Sequence, residues 1–196
     1  GYVQPGPDTF PLVDDVHTLI LSGGALPCIT WLDGTSDGEK SMDELLKLLI
    51  AKGAAALNIV PDRNWNIADP EVKALKVKNL YQLVELAQAN DLPLNIGTEM
   101  NAYGLKFVDT FDAVELAPVK EAFLDGAYFI YGHTIMQRYA KKGYQSQWAD
   151  AQFDNRAEKN AFYTTIGKSV EPATARRLLS DTNENASTTD ILNSVK

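Results

Sequence analysis

One pattern recurs along the chain: a short apolar run, a polar turn, then a longer segment with apolar residues every three or four positions. Residues 26–32, 54–60 and 92–96 are brief apolar runs bounded by glycine, proline or Asx residues, and they read as buried strands. A fourth run, 127–131 between Gly126 and Gly132, reads the same way. Helical periodicity fills the intervals. Asp14 or Asp15 caps a short helix to Leu21, stopped by Gly23 and Gly24. Ser41 and Glu44 form an S-x-x-E capping box for a helix over 42–52, with Leu45, Leu48 and Leu49 on one face and Gly53 as its stop. Asp69 followed by Pro70 opens a helix that runs to about Ala89. Shorter helices are predicted over 118–124 and 134–142.

The units recur every 30 residues or so, roughly the length of a βα unit. The pattern predicts an α/β fold of parallel βα repeats with right-handed crossovers. A closed TIM barrel takes eight such units and about 250 residues, so four units predict a partial or distorted TIM-barrel-like sheet. Pro5, Pro7 and Pro11 make residues 1–13 an extended lead-in, and 14–180 form the α/β domain. Within it, Tyr144, Trp148, Phe153, Phe162 and Tyr163 read as aromatics packing across one sheet edge, with a helix over 156–166 and a last helix over 172–180. Residues 181–196 read as a polar, frayed tail. The sequon at Asn185 reads as chance.

Composition narrows the classes. At 45% hydrophobic and 22% charged residues the chain is globular rather than disordered. A net charge of −8 argues against nucleic acid as a partner, because that binding neutralises phosphates with Lys and Arg. No run reaches the roughly 18–20 apolar residues of a membrane span, and no signal peptide is visible, so the expected location is cytoplasmic. Cys28 is the only cysteine, which excludes internal disulfides and a cysteine zinc site; it reads as a small buried hydrophobe. A four-unit sheet leaves an exposed edge, and the expected cover is a second copy of the chain or an upstream segment.

Candidate chemistry gathers where the predicted strands end, the edge at which parallel α/β folds build sites. Strand one leads to Asp33, Asp37 and Glu39; strand two to Asp62, Arg63 and Asn64; strand three to Thr98, Glu99 and Asn101; strand four to His133. Asp33 and Asp62 also suit turns and caps. Glu99, directly after Gly97-Thr98, has little turn preference and is best explained by chemistry. Such a set predicts a small-molecule substrate, with Asn64, Asn101 and Asp33 binding it. Asp62, Glu99 and His133 are metal ligands for Mn, Zn, Fe or Mg in one reading. In another, Glu99 and His133 are a metal-free acid–base pair and Arg63 clamps an anion. His17 reads as structural, and Trp31 and Trp65 as core residues flanking the cleft.

In order along the chain, Ser36-Asp-Gly38, Asp62-Arg-Asn64, Gly97-Thr-Glu99 and His133 resemble the successive motifs of the PHP (polymerase and histidinol phosphatase) superfamily. The resemblance covers residues 28–134. It implies a distorted TIM-like barrel, a divalent metal centre and hydrolysis of phosphoesters or related substrates. Thr30 and Leu32 stand where that family has His-x-His, and Arg63 stands where it has the histidine of Asp-His-Asn. The resemblance is therefore to a degenerate member, and its alternative reading is a non-catalytic domain that binds a sugar or phosphate, or a half-barrel of a larger protein.

Overall fold

Three of the four apolar runs form strands in the computed structural model, which describes residues 6, 8–101 and 103–195. Residues 1–5 and 7 of the predicted lead-in lie outside that range. Strands β1 (Cys28–Trp31), β2 (Ala56–Ile59) and β3 (Leu94–Ile96) make one parallel sheet in the order β1-β2-β3. Each is shorter than its apolar run. Pro27 and Pro93 precede β1 and β3, and Pro61 follows β2 closely; a residue without an N–H trims the ladder.

Helices α1 (Val13–Ser22), α2 (Asp37–Lys40), α3 (Met42–Ala51), α4 (Asp62–Trp65) and α5 (Pro70–Ala89) are threaded around these strands. The side chains of α3 and α5 cover one face of the sheet: Ile29, Trp31, Leu57, Ile59 and Leu94 pack with Met42, Leu46, Leu80, Leu83 and Val84. Asp69 caps α5 as expected, accepting from the N–H groups of Glu71 and Val72. Gly53, at φ 100°, turns the chain out of α3 in a conformation that other residues rarely adopt. His17 is structural, its Nδ1 lying 2.7 Å from the Lys52 carbonyl.

The capping box at Ser41 does not form, because Ser41 makes no side-chain cap. Ser36 takes that role for α2, accepting from the Glu39 N–H. The Glu39 carboxylate then receives the N–H groups of Leu32 (2.6 Å) and Gly34 (3.2 Å), which lie on the loop it closes.

The fourth unit overturns the expectation most clearly. Residues 127–131 are helical, inside α6 (Lys120–Ile135), so strand four and the separate helix over 118–124 are one element. The two flanking glycines are packing positions rather than strand stops. A Cβ at Gly126 would fall 1.8 Å from the Leu94 carbonyl oxygen, and one at Gly132 would fall 1.9 Å from that of Tyr163. Buried positions 123, 126, 129, 132 and 133 follow helical spacing. The sheet is consequently open and three-stranded; the described residues form no closed barrel.

Beyond α6 come a π-helical turn (Met136–Ala140), α7 (Gln147–Gln152), α8 (Arg156–Ser169), α9 (Ala175–Leu179) and α10 (Thr188–Ser194). They build a second core of Phe129, Tyr144, Phe162, Tyr163, Ile166 and Leu179. The aromatics do pack edge to face, Phe129 against Tyr144 at 5.0 Å and Tyr144 against Tyr163 at 5.4 Å, but between helices and not over a sheet edge. Burial pushes the Tyr144 hydroxyl pKa up to about 12.

The predicted tail contains a helix, α10. Ser187 and Asp190 form a capping box for α10, and Ile191 and Val195 are buried in the second core. A polar average over 181–196 conceals two apolar anchors spaced for one helix face.

Among the described residues no helix is long and apolar enough to cross a membrane.

Candidate functional site

The C-terminal edge of the sheet is where the chain concentrates polar side chains with unmet bonding capacity. Asn64, on α4, is fully buried, and its amide nitrogen donates to the Leu32 carbonyl (3.1 Å) and the Val60 carbonyl (3.3 Å). It thus ties the ends of β1 and β2 together, while its Oδ1 is buried without a partner. Asp62, two residues earlier, accepts at Oδ2 from the Asn66 amide (3.2 Å), and its Oδ1 is likewise buried and unpartnered.

Beyond β3, Glu99 meets Arg63. One guanidinium nitrogen, Nη1, donates to both carboxylate oxygens, at 2.8 and 2.9 Å. The pair is partly open to solvent, at 40% and 34% side-chain exposure, so a ligand can reach it.

A residue not anticipated from sequence completes the cluster. Asp109 is 7% exposed and has a buried, unpartnered Oδ2. Burial pushes its carboxyl pKa up and the negative charge of Asp62 adds to the shift; the Asp62 backbone N–H and Lys106 oppose it, and Glu99 reinforces it. It lies on the polar loop after Glu99, where no strand periodicity marks it. The one local signal was an acidic residue within the apolar run Phe107-Val-Asp-Thr-Phe111.

Three other expected residues have different roles. Asp33 is a turn and ion-pair residue. It accepts from the Thr35 N–H and hydroxyl, and pairs with Lys76 at 2.7 Å. Burial alone would raise its carboxyl pKa, but the hydrogen bonds from Lys76 and Thr35 outweigh it and hold the pKa below the ordinary value. Asn101 is exposed on the loop after β3.

His133 sits away from the edge, on α6 near the start of β1. Its Nδ1 accepts from the Tyr144 N–H (3.0 Å), which leaves Nε2 to carry the proton and donate to the Gly24 carbonyl (3.2 Å). Both ring nitrogens are used in joining three segments. Burial lowers its pKa, partly offset by the Gly24 hydrogen bond. Neither the Glu99–His133 acid–base pair nor an Asp62–Glu99–His133 ligand set is assembled, because the segment carrying His133 is a helix across the opposite end of the sheet.

The donor set does not fit the metal centre that the resemblance implies. Among the described residues, no group of three or more His, Cys, Asp and Glu side chains could hold a metal ion. Arg63 places a fixed positive charge on both Glu99 oxygens, and Thr30 and Leu32 are not ligands of the kind required.

The other face of the sheet adds a second set of polar groups. Thr30, Asn58 and Asn95 are register partners across β1, β2 and β3, and Asn95 Nδ2 donates to Asn58 Oδ1 at 2.8 Å. Their sequence signal is a repeat, Leu-Asn-Ile at 57–59 and again at 94–96, with asparagine at mid-strand, where it is usually depleted. Cys28 begins the same face and is exposed rather than buried. Partial enclosure by the neighbouring cleft nevertheless pushes its thiol pKa up, away from reactive thiolate. No protein-family model, curated protein or solved structure matches the chain.

Proposed function

We propose that this chain is a small-molecule-binding α/β domain whose ligand sits at the C-terminal strand edge, and that it works without a resident metal. In this reading it is a degenerate relative of the PHP-like hydrolases in which the Arg63–Glu99 ion pair takes the place of a metal and its ligand. The observation that carries the reading is the Nη1 of Arg63 bonded to both oxygens of Glu99, beside the unpartnered carboxylate oxygens of Asp62 and Asp109. Buried oxygens without partners are costly, so their presence in a cluster that solvent reaches favours a ligand that supplies donors.

Asp109 favours a second reading, hydrolysis. Burial and the negative charge of Asp62 push the Asp109 carboxyl pKa up, and a carboxyl raised in this way beside a second carboxylate is the arrangement that separates an acid from a base. Asp109 would give its proton to the leaving-group oxygen, while the Glu99 carboxylate takes the proton of the attacking water, whose hydroxyl joins the substrate.

The test is elemental analysis of protein loaded with Mn²⁺, Zn²⁺, Fe²⁺ or Mg²⁺ and then desalted, in wild type and Glu99→Ala. The expected result is far less than one metal per chain in both. A near-stoichiometric metal that Glu99→Ala loses would restore the metal-dependent phosphoesterase and remove this reading.

A further inference from the structure

The geometry points to a neutral polyhydroxylated compound, a monosaccharide or alditol, as the ligand class, bound along the Thr30–Asn58–Asn95 row on the open face of the sheet. This inference rests on the reading that the domain binds a small molecule at the strand edge, and it adds where and by what groups the ligand is recognised.

The first argument is the balance of charge. A phosphate or carboxylate ligand needs a cation with unspent charge. Arg63 is committed to Glu99, Lys76 to Asp33 and Lys73 to Glu115, and Lys106 donates to the Thr110 hydroxyl while facing Asp109. The edge carries Asp62, Glu99 and Asp109 against Arg63 and Lys106, so an anion gains little there. A neutral ligand pays no such penalty.

The second argument is bonding pattern. The Asn95-to-Asn58 hydrogen bond uses one donor and one acceptor of the two amides. It leaves the Asn58 amide nitrogen and the Asn95 Oδ1 with no partner among the described residues, beside the exposed Thr30 hydroxyl. Donor, acceptor and hydroxyl then stand in a line of two strand steps, roughly 10 Å. Vicinal hydroxyls, each both donor and acceptor, match such a row; a purely accepting phosphate uses only part of it.

Space is the third argument. Gly97 follows β3 beside this row, and a Cβ there would already touch Asn58 Oδ1 at 3.4 Å and Val60 at 3.5 Å. Below the row, a cleft of about 420 Å³ is bounded by Cys28, Asn95, Leu26, Ile130, Thr134 and Arg138, whose guanidinium carbon lies 5.4 Å from the Tyr139 ring centre. That volume falls in the range of small-molecule sites, and Leu26 and Ile130 offer an apolar wall to the C–H surface of a sugar.

The test is calorimetric titration of the full chain with glucose, mannose, galactose, xylose and glucitol, alongside glucose 6-phosphate and inorganic phosphate. At least one neutral compound should bind at or below ~20 mM, and glucose 6-phosphate no more tightly than glucose. Asn58→Ala and Asn95→Ala should each weaken that binding about tenfold, and Thr30→Val, which keeps the shape, by a smaller factor. Circular dichroism and melting temperature verify that each variant is folded; if an alanine variant is not, Asn95→Asp and Thr30→Val carry the test. Tighter binding of phosphate or the phosphorylated sugar, or no binding of any neutral compound, overturns the inference. Neutral-sugar binding that Arg63→Ala abolishes but the row variants leave unchanged also overturns it, while leaving the strand-edge reading intact.

Discussion

The two faces of the sheet are built from alternate residues of the same three short strands, and they have opposite character. Ile29, Trp31, Leu57, Ile59 and Leu94 point to one side and are covered by α3 and α5, with Trp31 1% and Leu57 0% exposed. Thr30, Asn58 and Asn95 point to the other, where Ala56 is buried but Cys28 and Thr30 are exposed. Helix α6 passes from the Leu94 backbone at Gly126 to the Gly24 carbonyl at His133 and leaves the middle of that face open. Parallel sheets are ordinarily apolar and covered on both faces. One face therefore holds the fold together, while the other is free to carry polar groups that a core would not tolerate. The cost of that freedom falls on α6, whose Gly126 packs against the Leu94 backbone.

The comparison can be broken most forcefully at the seal. Gly126→Val places side-chain atoms inside contact distance of the Leu94 backbone, and we expect at least ~3 kcal/mol of destabilisation or outright failure to fold, read by urea denaturation. Tolerance of valine there would show that α6 does not press on β3. Neighbouring residues on opposite faces come next. Leu57→Ala should cost about 2–5 kcal/mol through the cavity it leaves, and Asn58→Ala under ~1 kcal/mol. Equal losses would erase the distinction between a packed face and a bonding face.

His133 gives a smaller, pH-dependent effect. Its folded pKa lies below 6.5, so the unfolded chain binds the proton more readily. Stability should be complete above the unfolded value and fall as pH drops below 6.5 toward the folded pKa. His133→Gln should flatten that interval of the stability–pH profile while costing about 1–2 kcal/mol at neutral pH. A wild-type profile that is level between pH 7 and 5 would contradict the neutral, two-bond imidazole. The smallest stability effect belongs to the site itself. Arg63→Ala should change unfolding free energy by less than ~1 kcal/mol, since the pair is partly exposed, yet it should weaken ligand binding. A large loss of stability would recast the pair as a structural clamp.

Local signals account well for the first three βα units. Short apolar runs, the Asp69-Pro70 helix start and the glycine after α3 are decisions made within a few residues, and the structure follows them. Residues 127–131 fail for an instructive reason. Ala-Tyr-Phe-Ile-Tyr favours a strand locally, but Gly126 and Gly132 permit backbone contacts that only a helix in that place can make. The candidate site was legible at Asp62, Arg63 and Glu99, because each lies within a turn of the end of an apolar run. Asp109 was not, since its burial depends on a loop folding back over Asp62. Nor was the satisfaction of His133, whose partners Gly24 and Tyr144 are distant along the chain or in a turn of no clear pattern.

By itself the sequence determined the class of fold, the parallel pairing of its first three strands and the edge at which the candidate side chains Asp62, Arg63 and Glu99 lie, since periodicity and caps act over short range. Tertiary structure alone decided that the sheet stays at three open strands, that His133 is a clasp, and that Arg63 and Glu99 neutralise each other. Those outcomes depend on which distant backbones and charges come within a few ångströms, and on whether a buried group finds a partner there. No local pattern carries that information.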